Sequence, residues 1–192
     1  MTGGDGVMET QLAFQLETGG SNPTSPLQFK FNEIKVQTAC ELNAKWHSRF
    51  PAIDWSNVVR NKHYICYGAF FEGNCFASAI WSSPIAANRL TDGQLMLELR
   101  RMAISDQSPK NTASRMLSWM RKDIQVKFPH LIRLISYQDT EVHLGTIYKA
   151  SGWKCVNADN PTQIDWTTTK RVRNKTQSDA PKTRWEYDLG GK

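Results

Sequence analysis

Two strand–loop–helix units stand in succession in the second half of this chain, and few folds accommodate that order. The first unit begins with residues 94–104 (QLMLELRRMAI), where Leu95, Leu97 and Leu99 alternate with Met96, Glu98 and Arg100 at the period of a strand. A polar, turn-rich loop over 105–112 (SDQSPKNT) follows. Residues 113–126 (ASRMLSWMRKDIQV) then place Met116, Leu117, Met120 and Ile124 at helical spacing. The second unit repeats the order, with a buried-type strand over 131–137 (LIRLISY) and a short helix over 141–150 closed by Gly152. A helix between two such strands returns the second strand parallel to the first through a right-handed crossover. Ligand sites in such folds lie at the carboxyl ends, where the strands diverge. The expected class is therefore α/β.

Upstream, residues 35–46 (KVQTACELNAKW) suit a helix burying Val36, Ala39, Cys40, Asn43 or Ala44, and His47 on one side, with Pro51 limiting it. Runs over 63–71 (HYICYGAFF) and 75–81 (CFASAIW), joined by Glu72, Gly73 and Asn74, predict an antiparallel hairpin. A chain of 192 residues that is 40% hydrophobic holds one domain with a substantial core. Residues 1–26, with paired glycines, an Asn-Pro and a Ser-Pro, are expected to form a loose leader, and residues 27–166 the domain. Within the domain, 153–166 would supply one or two edge strands, interrupted at Asn160 and Pro161. Residues 167–192 are expected as a basic tail carrying Lys170, Arg171, Arg173, Lys175, Lys182 and Arg184 ahead of Trp185 and Tyr187.

A formal charge of +6 favours a polyanionic partner, although plain solubility explains net charge equally well. On the first reading, Lys170, Arg171, Arg173 and Lys175 contact DNA phosphates, with Lys110, Arg115, Arg121 and Lys122 adding to them. Four scattered cysteines without a C-x-x-C pair read as reduced thiols and indicate neither a disulfide framework nor a closed zinc site. With no signal-like N-terminus and no apolar run near about 18 residues, the expectation is a soluble intracellular protein without a membrane partner.

Residues 137–153 (YQDTEVHLGTIYKASGW) end a helix with Tyr148 four residues before Gly152 and Trp153. This resembles the GNAT acetyltransferase superfamily. Four further strings look like the phage Mom family of DNA modification proteins: residues 46–51 (WHSRFP), 98–102 (ELRRM), 109–114 (PKNTAS) and 143–148 (HLGTIY). The resemblance covers roughly residues 45–153. It implies a GNAT-like mixed central sheet flanked by helices, and conversion of adenine to N6-carbamoylmethyladenine in double-stranded DNA, which shields phage DNA from restriction in the host cytoplasm. It also implies acetyl-CoA or another acyl donor held by Lys110, Asn111, Thr112, Ala113 and Ser114. That loop departs from the GNAT pyrophosphate pattern in having no glycine. His47, Arg101, Ser114, Asp139 and Tyr148 are the residues it carries towards a central cleft, with Tyr148 as general acid. Oligomeric state stays open, a dimer included.

Each of these residues has a plainer reading. Tyr148 suits a tyrosine packed under the sheet, Asn111 or Thr112 a helix cap, and His47 a capping or core histidine. Arg101, between Leu99 and Ala103 on the apolar face of a strand, needs an anion such as Asp139, Glu98 or a ligand phosphate. Ser114 is ordinary in a first helical turn. Asp139, at a strand end, is the leading general base or else a turn former. His47 and Asp139 with Tyr148 make an N/O set of the type that holds iron. Reaching adenine's amine requires rotating the base out of the stack onto an aromatic ring, for which Trp46, Tyr64 and Tyr67 are candidates. A GNAT acetylating a small-molecule or protein amine, and an inactive domain that only binds nucleic acid, are the rivals.

Overall fold

The computed structural model describes residues 29–47, 52–84, 95–157 and 182–190. The chain order is β1 (Phe29–Glu33), α1 (Val36–Trp46), α2 (Trp55–Val59), β2 (Tyr64–Phe71), β3 (Asn74–Ser82), β4 (Met96–Ile104), α3 (Thr112–Lys127), β5 (Arg133–Asp139), α4 (Thr146–Ala150), β6 (Lys154–Asn157) and β7 (Lys182–Asp188). One seven-stranded mixed sheet runs β1-β2-β3-β4-β5-β7-β6. Among the described strands only β4 and β5 pair in parallel; the other neighbours are antiparallel. The expected parallel pair joined through a helix is thus present, with α3 as the connection.

The hairpin between β2 and β3 turns at Glu72 and Gly73, both at positive φ (49° and 80°). That geometry matches the twist of the flanking strands. Away from the hairpin turn both strands are largely buried because helices cover both sheet faces. Ile65, Tyr67 and Ala69 of β2, with Ala77, Ala79 and Trp81 of β3, point into the larger core beneath α3 and α4. Cys66 and Ile80 point the other way, to Ala39, Cys40 and Val58 of α1 and α2. Small side chains admit α1 closely, and a buried polar stitch fixes it: Asn43 donates to Ser78 Oγ at 2.9 Å.

β4 carries the irregularity that matters most. Ile80 pairs with Arg101 but Trp81 pairs with Leu99, so Arg100 is an extra residue, a β-bulge. Leu97 and Leu99 face the α3 core, and beyond the bulge Met102 and Ile104 take over that face. Arg101 therefore shares the α1 face with Ile80, not the face of Leu99. The reading that set Arg101 between Leu99 and Ala103 on one apolar face is corrected by that single inserted residue.

The end of the chain needs a second correction. Residues 182–188, expected as the close of a basic tail, form β7, inserted between β5 and β6. Thr183 and Trp185 are buried, and Arg184 pairs with Glu186 at 2.6 Å, so its charge is engaged within the sheet. The leader at 1–26, residues 158–166, and the phosphate contacts expected of Lys170, Arg171, Arg173 and Lys175 lie outside the described residues. Among the described residues no helix is long and apolar enough to cross a membrane.

A candidate active site where two strands part

Pairing between β4 and β5 runs from Met96↔Arg133 to Leu99↔Ser136 and stops there. Beyond that point β4 stays with β3 as far as Ile104, and β5 stays with β7 as far as Asp139↔Lys182. The strands open around a cleft of about 610 Å³ at their carboxyl ends. Its walls are Arg100 to Ile104 of β4, Tyr137 to Asp139 of β5, Ala113 at the start of α3, Val142 to Tyr148, and Trp46 with His47 from the end of α1. A site at diverging strand ends is what the sequence order predicted.

Four of the five carried-over residues meet there: His47, Arg101, Asp139 and Tyr148. Ser114 does not. It borders a separate shallow cavity with Phe31, Arg115, Ser118, Trp119, Lys122 and Ala150, and its hydroxyl donates to the Asn111 carbonyl at 3.2 Å. Successive helical residues point about 100° apart, so with Ala113 turned to the cleft, Ser114 is turned away. Of the aromatic candidates, Trp46 lines the cleft, joined by Tyr137. Tyr67 is fully buried with its hydroxyl on Asp123 at 2.8 Å, and Tyr64 begins β2 at the opposite end of the sheet from the opening.

Tyr148 is held from three sides. Its hydroxyl shares a 2.8 Å hydrogen bond with Ser136. Its ring stacks on Trp185 at 5.2 Å and 12°, and Trp153 meets it edge-on at 5.7 Å. Burial raises the phenol pKa above its ordinary value, against a smaller opposing effect of the Ser136 hydroxyl. The group is kept protonated and fits a proton donor, not a base.

Asp139 ends β5 and organises the chain after it. Its Oδ1 accepts from the Glu141 amide at 3.0 Å, and its carbonyl accepts from His143 at 3.1 Å. Gln138, buried just before it, accepts from Trp185 Nε1 at 2.6 Å and donates to the His143 carbonyl. Gly145 adopts φ 71°, and a Cβ there would meet both Gln138 Oε1 and Trp185 Cζ2 at 2.6 Å. Gln138 and Trp185 are thus positioning residues that the sequence reading missed. Gln138 sits in no motif, and Trp185 was read as part of the tail.

His47 caps α1, its amide donating to the Asn43 carbonyl at 2.8 Å. Burial lowers its pKa, and the nearby charges of Arg101 and His143 lower it further. A histidine that folds neutral loses protons relative to the unfolded chain. Its contribution to stability is complete above the ordinary value near 6.5 and is lost as pH falls through it towards the depressed folded pKa. Denaturant midpoints should decline below about pH 6.5, and His47→Gln should make that decline shallower; an unchanged pH profile would contradict the assignment.

His47, Asp139 and Tyr148 do share the cleft, but nothing further supports iron there. Among the described residues, no three His, Cys, Asp or Glu side chains gather to hold a metal ion. The Arg101 charge close to His47 opposes a second cation there. Of the five residues expected to hold a donor, only Ala113 lines the cleft. Asn111 takes the left-handed conformation (φ 65°) at the head of α3, which asparagine tolerates, and no side chain caps that helix. Thr112 is buried and bonds the Pro109 carbonyl at 2.6 Å, while Lys110 is exposed.

Solved structures share this architecture. The ribosomal-protein-S18-alanine N-acetyltransferase of Escherichia coli superposes with a TM-score of 0.55 at 12% identity, over 84% of this chain and 94% of that one. A GNAT family acetyltransferase from Elizabethkingia anophelis, solved with acetyl-CoA bound, does so with a TM-score of 0.55 at 9% identity, over 83% and 97%. Likeness at these identities establishes the GNAT fold. In sequence, the methylcarbamoylase Mom of Escherichia phage Mu is 27% identical over 140 residues, 68% of this chain, and the match spans 56% of that relative's length. The model of the Mom protein family matches residues 28–187, which takes in the cleft, its rim and all but the last residue of β7. The chain belongs to the Mom protein family.

Proposed function

We propose that this protein is a transferase that modifies DNA, placing a carbamoylmethyl group on the exocyclic N6 of adenine in the duplex. The observation that carries the reading is the convergence of Asp139, Tyr148, Arg101 and His47 on one cleft between parting strands. Family membership and the methylcarbamoylase relative support the chemistry. The amine is a poor nucleophile because its lone pair is drawn into the ring, so it must lose a proton as it attacks and be held in line.

In this reading Asp139 accepts the amine proton while the new nitrogen–carbon bond forms. Tyr148, kept protonated by burial, gives its proton to the departing atom. Arg101 holds negative charge that develops on the transferred group, and Trp46 or Tyr137 offers a face for the extruded base. The uncapped head of α3, with Lys110 and the main chain of Asn111 to Ala113, suits the phosphates of an acyl-CoA type of donor. An acyl-CoA, when bound, would place its carbonyl carbon on N6 and leave as the thiol, so the carbamoylmethyl product requires either a donor whose methylene carbon bears the leaving group or a second step that rearranges the amide. The product carries a methylene on N6, whereas ordinary GNAT chemistry would leave a carbonyl there. The donor chemistry of this family member therefore departs from plain acetyl transfer.

Acetyl transfer to a small-molecule or protein amine would use the same protonated Tyr148 and is the competing reading. Expression in bacteria followed by mass spectrometry of digested plasmid nucleosides separates them. The expected product is an adenine nucleoside heavier by one carbamoylmethyl group, absent from cells without the protein and from cells carrying Tyr148→Phe. Unmodified plasmid, with acetylated amines appearing instead, would overturn the reading.

A further inference from the structure

A base enters a closed cleft only after leaving the helical stack, and enzymes and architectural proteins that open a duplex often fill the gap with an apolar side chain. The rim of the cleft carries such a side chain. Leu144 is 87% exposed and Val142 is 46% exposed, on a short segment between β5 and α4. Scattered exposed apolar residues are normal and need no account. These two are different because both border the cleft and because the chain bearing them is fastened.

The fastening comes from both ends of the segment. The Asp139 carbonyl accepts from the Val142 amide at 3.4 Å and from the His143 amide at 3.1 Å. Gln138 anchors the His143 carbonyl, and Trp185 anchors Gln138 at 2.6 Å. On the far side, Gly145 lies so close to Gln138 and Trp185 that no side chain fits there. Leu144 is therefore held between two tethered neighbours and directed outward. A loose loop would fold such a side chain back to reduce its contact with water.

We infer that Leu144, with Val142 at its base, is a wedge that enters duplex DNA and occupies the space vacated by an adenine rotated into the cleft. The inference rests on the proposed DNA-modifying reading and adds to it how the duplex is held open. A protein partner is disfavoured by size, since two side chains fall far short of the roughly 800 Å² that each side of a stable protein interface covers. Charge agrees with a polyanion: Arg100 and Arg101 line the cleft, and among its described walls Asp139 is the one carboxylate.

The test needs no donor. Duplex oligonucleotides with 2-aminopurine in place of adenine, covering every nearest-neighbour context, report unstacking as a rise in fluorescence when protein is added. The wild-type protein is expected to raise the emission in at least one context. Leu144→Ala should cut that rise about tenfold, with duplex affinity within about threefold of wild type and full emission restored opposite an abasic site, where the stack is already broken. Leu144→Met should keep most of the effect. The substituted side chain is almost fully exposed, so folding is not at stake. A full rise with Leu144→Ala would overturn the wedge and leave base extrusion standing. Equal loss of binding to intact and abasic duplexes would mark Leu144 as a simple contact and overturn it as well. No rise with the wild-type protein in any context would overturn base extrusion and the wedge together.

Discussion

Asp139→Asn is expected to abolish most adenine modification in cells, by about a hundredfold to ten-thousandfold, the usual contribution of a positioned general base. The substitution discriminates between the two readings of this residue. Asp139 Oδ1 accepts the Glu141 amide at 3.0 Å, and an asparagine carbonyl oxygen can accept the same bond. The chain after β5 keeps its turn, while the side chain loses the ability to take a proton. If Asp139 is a turn former alone, Asp139→Asn modifies plasmid DNA as well as wild type does. Nucleoside mass spectrometry gives the activity, and circular dichroism confirms that the fold is intact.

Trp185→Ala is expected to lower the free energy of unfolding by about 3–5 kcal/mol, the range for truncating a buried large aromatic. A domain of this kind has roughly 5–15 kcal/mol in all, so the loss is a large fraction of it. Trp185 is 4% exposed, stacks on Tyr148 and donates to Gln138. Its removal opens a cavity and leaves the Gln138 carbonyl without that donor. A residue in a solvated basic tail would change stability by no more than about 0.5 kcal/mol when substituted. Urea unfolding therefore decides whether β7 belongs to the core; a midpoint unchanged by Trp185→Ala would contradict the sheet order described here.

The parts of the fold that were legible in the sequence are those whose burial follows a simple period. β4, α3 and β5 announce themselves through Leu97 and Leu99, then Met116, Leu117, Met120 and Ile124, then the apolar run to Tyr137. The position of Asp139 at the end of β5 was legible because a strand end in a parallel pair is a place, not a motif. The bulge at Arg100 was not, since one inserted residue changes the facing of everything after it without altering composition. β7 was hidden for a different reason: its outward residues Lys182, Arg184 and Glu186 continue a charged run, and the inward Thr183 and Trp185 are too few to break that impression. Ser114 was carried in on a string match that could not specify its phase around α3. Gln138 is legible only in three dimensions, where a buried amide bridges a tryptophan on one strand to the chain that leaves its own.

The opening between β4 and β5 is proposed to receive an adenine drawn out of double-stranded DNA. A crystal structure of the protein bound to a duplex from a responsive 2-aminopurine context tests it most directly. One adenine is expected to lie between the two strands, its amino nitrogen facing Asp139 and Leu144 inserted in its former place. An intact stack, with DNA lying on another face and the cleft untouched, would contradict it.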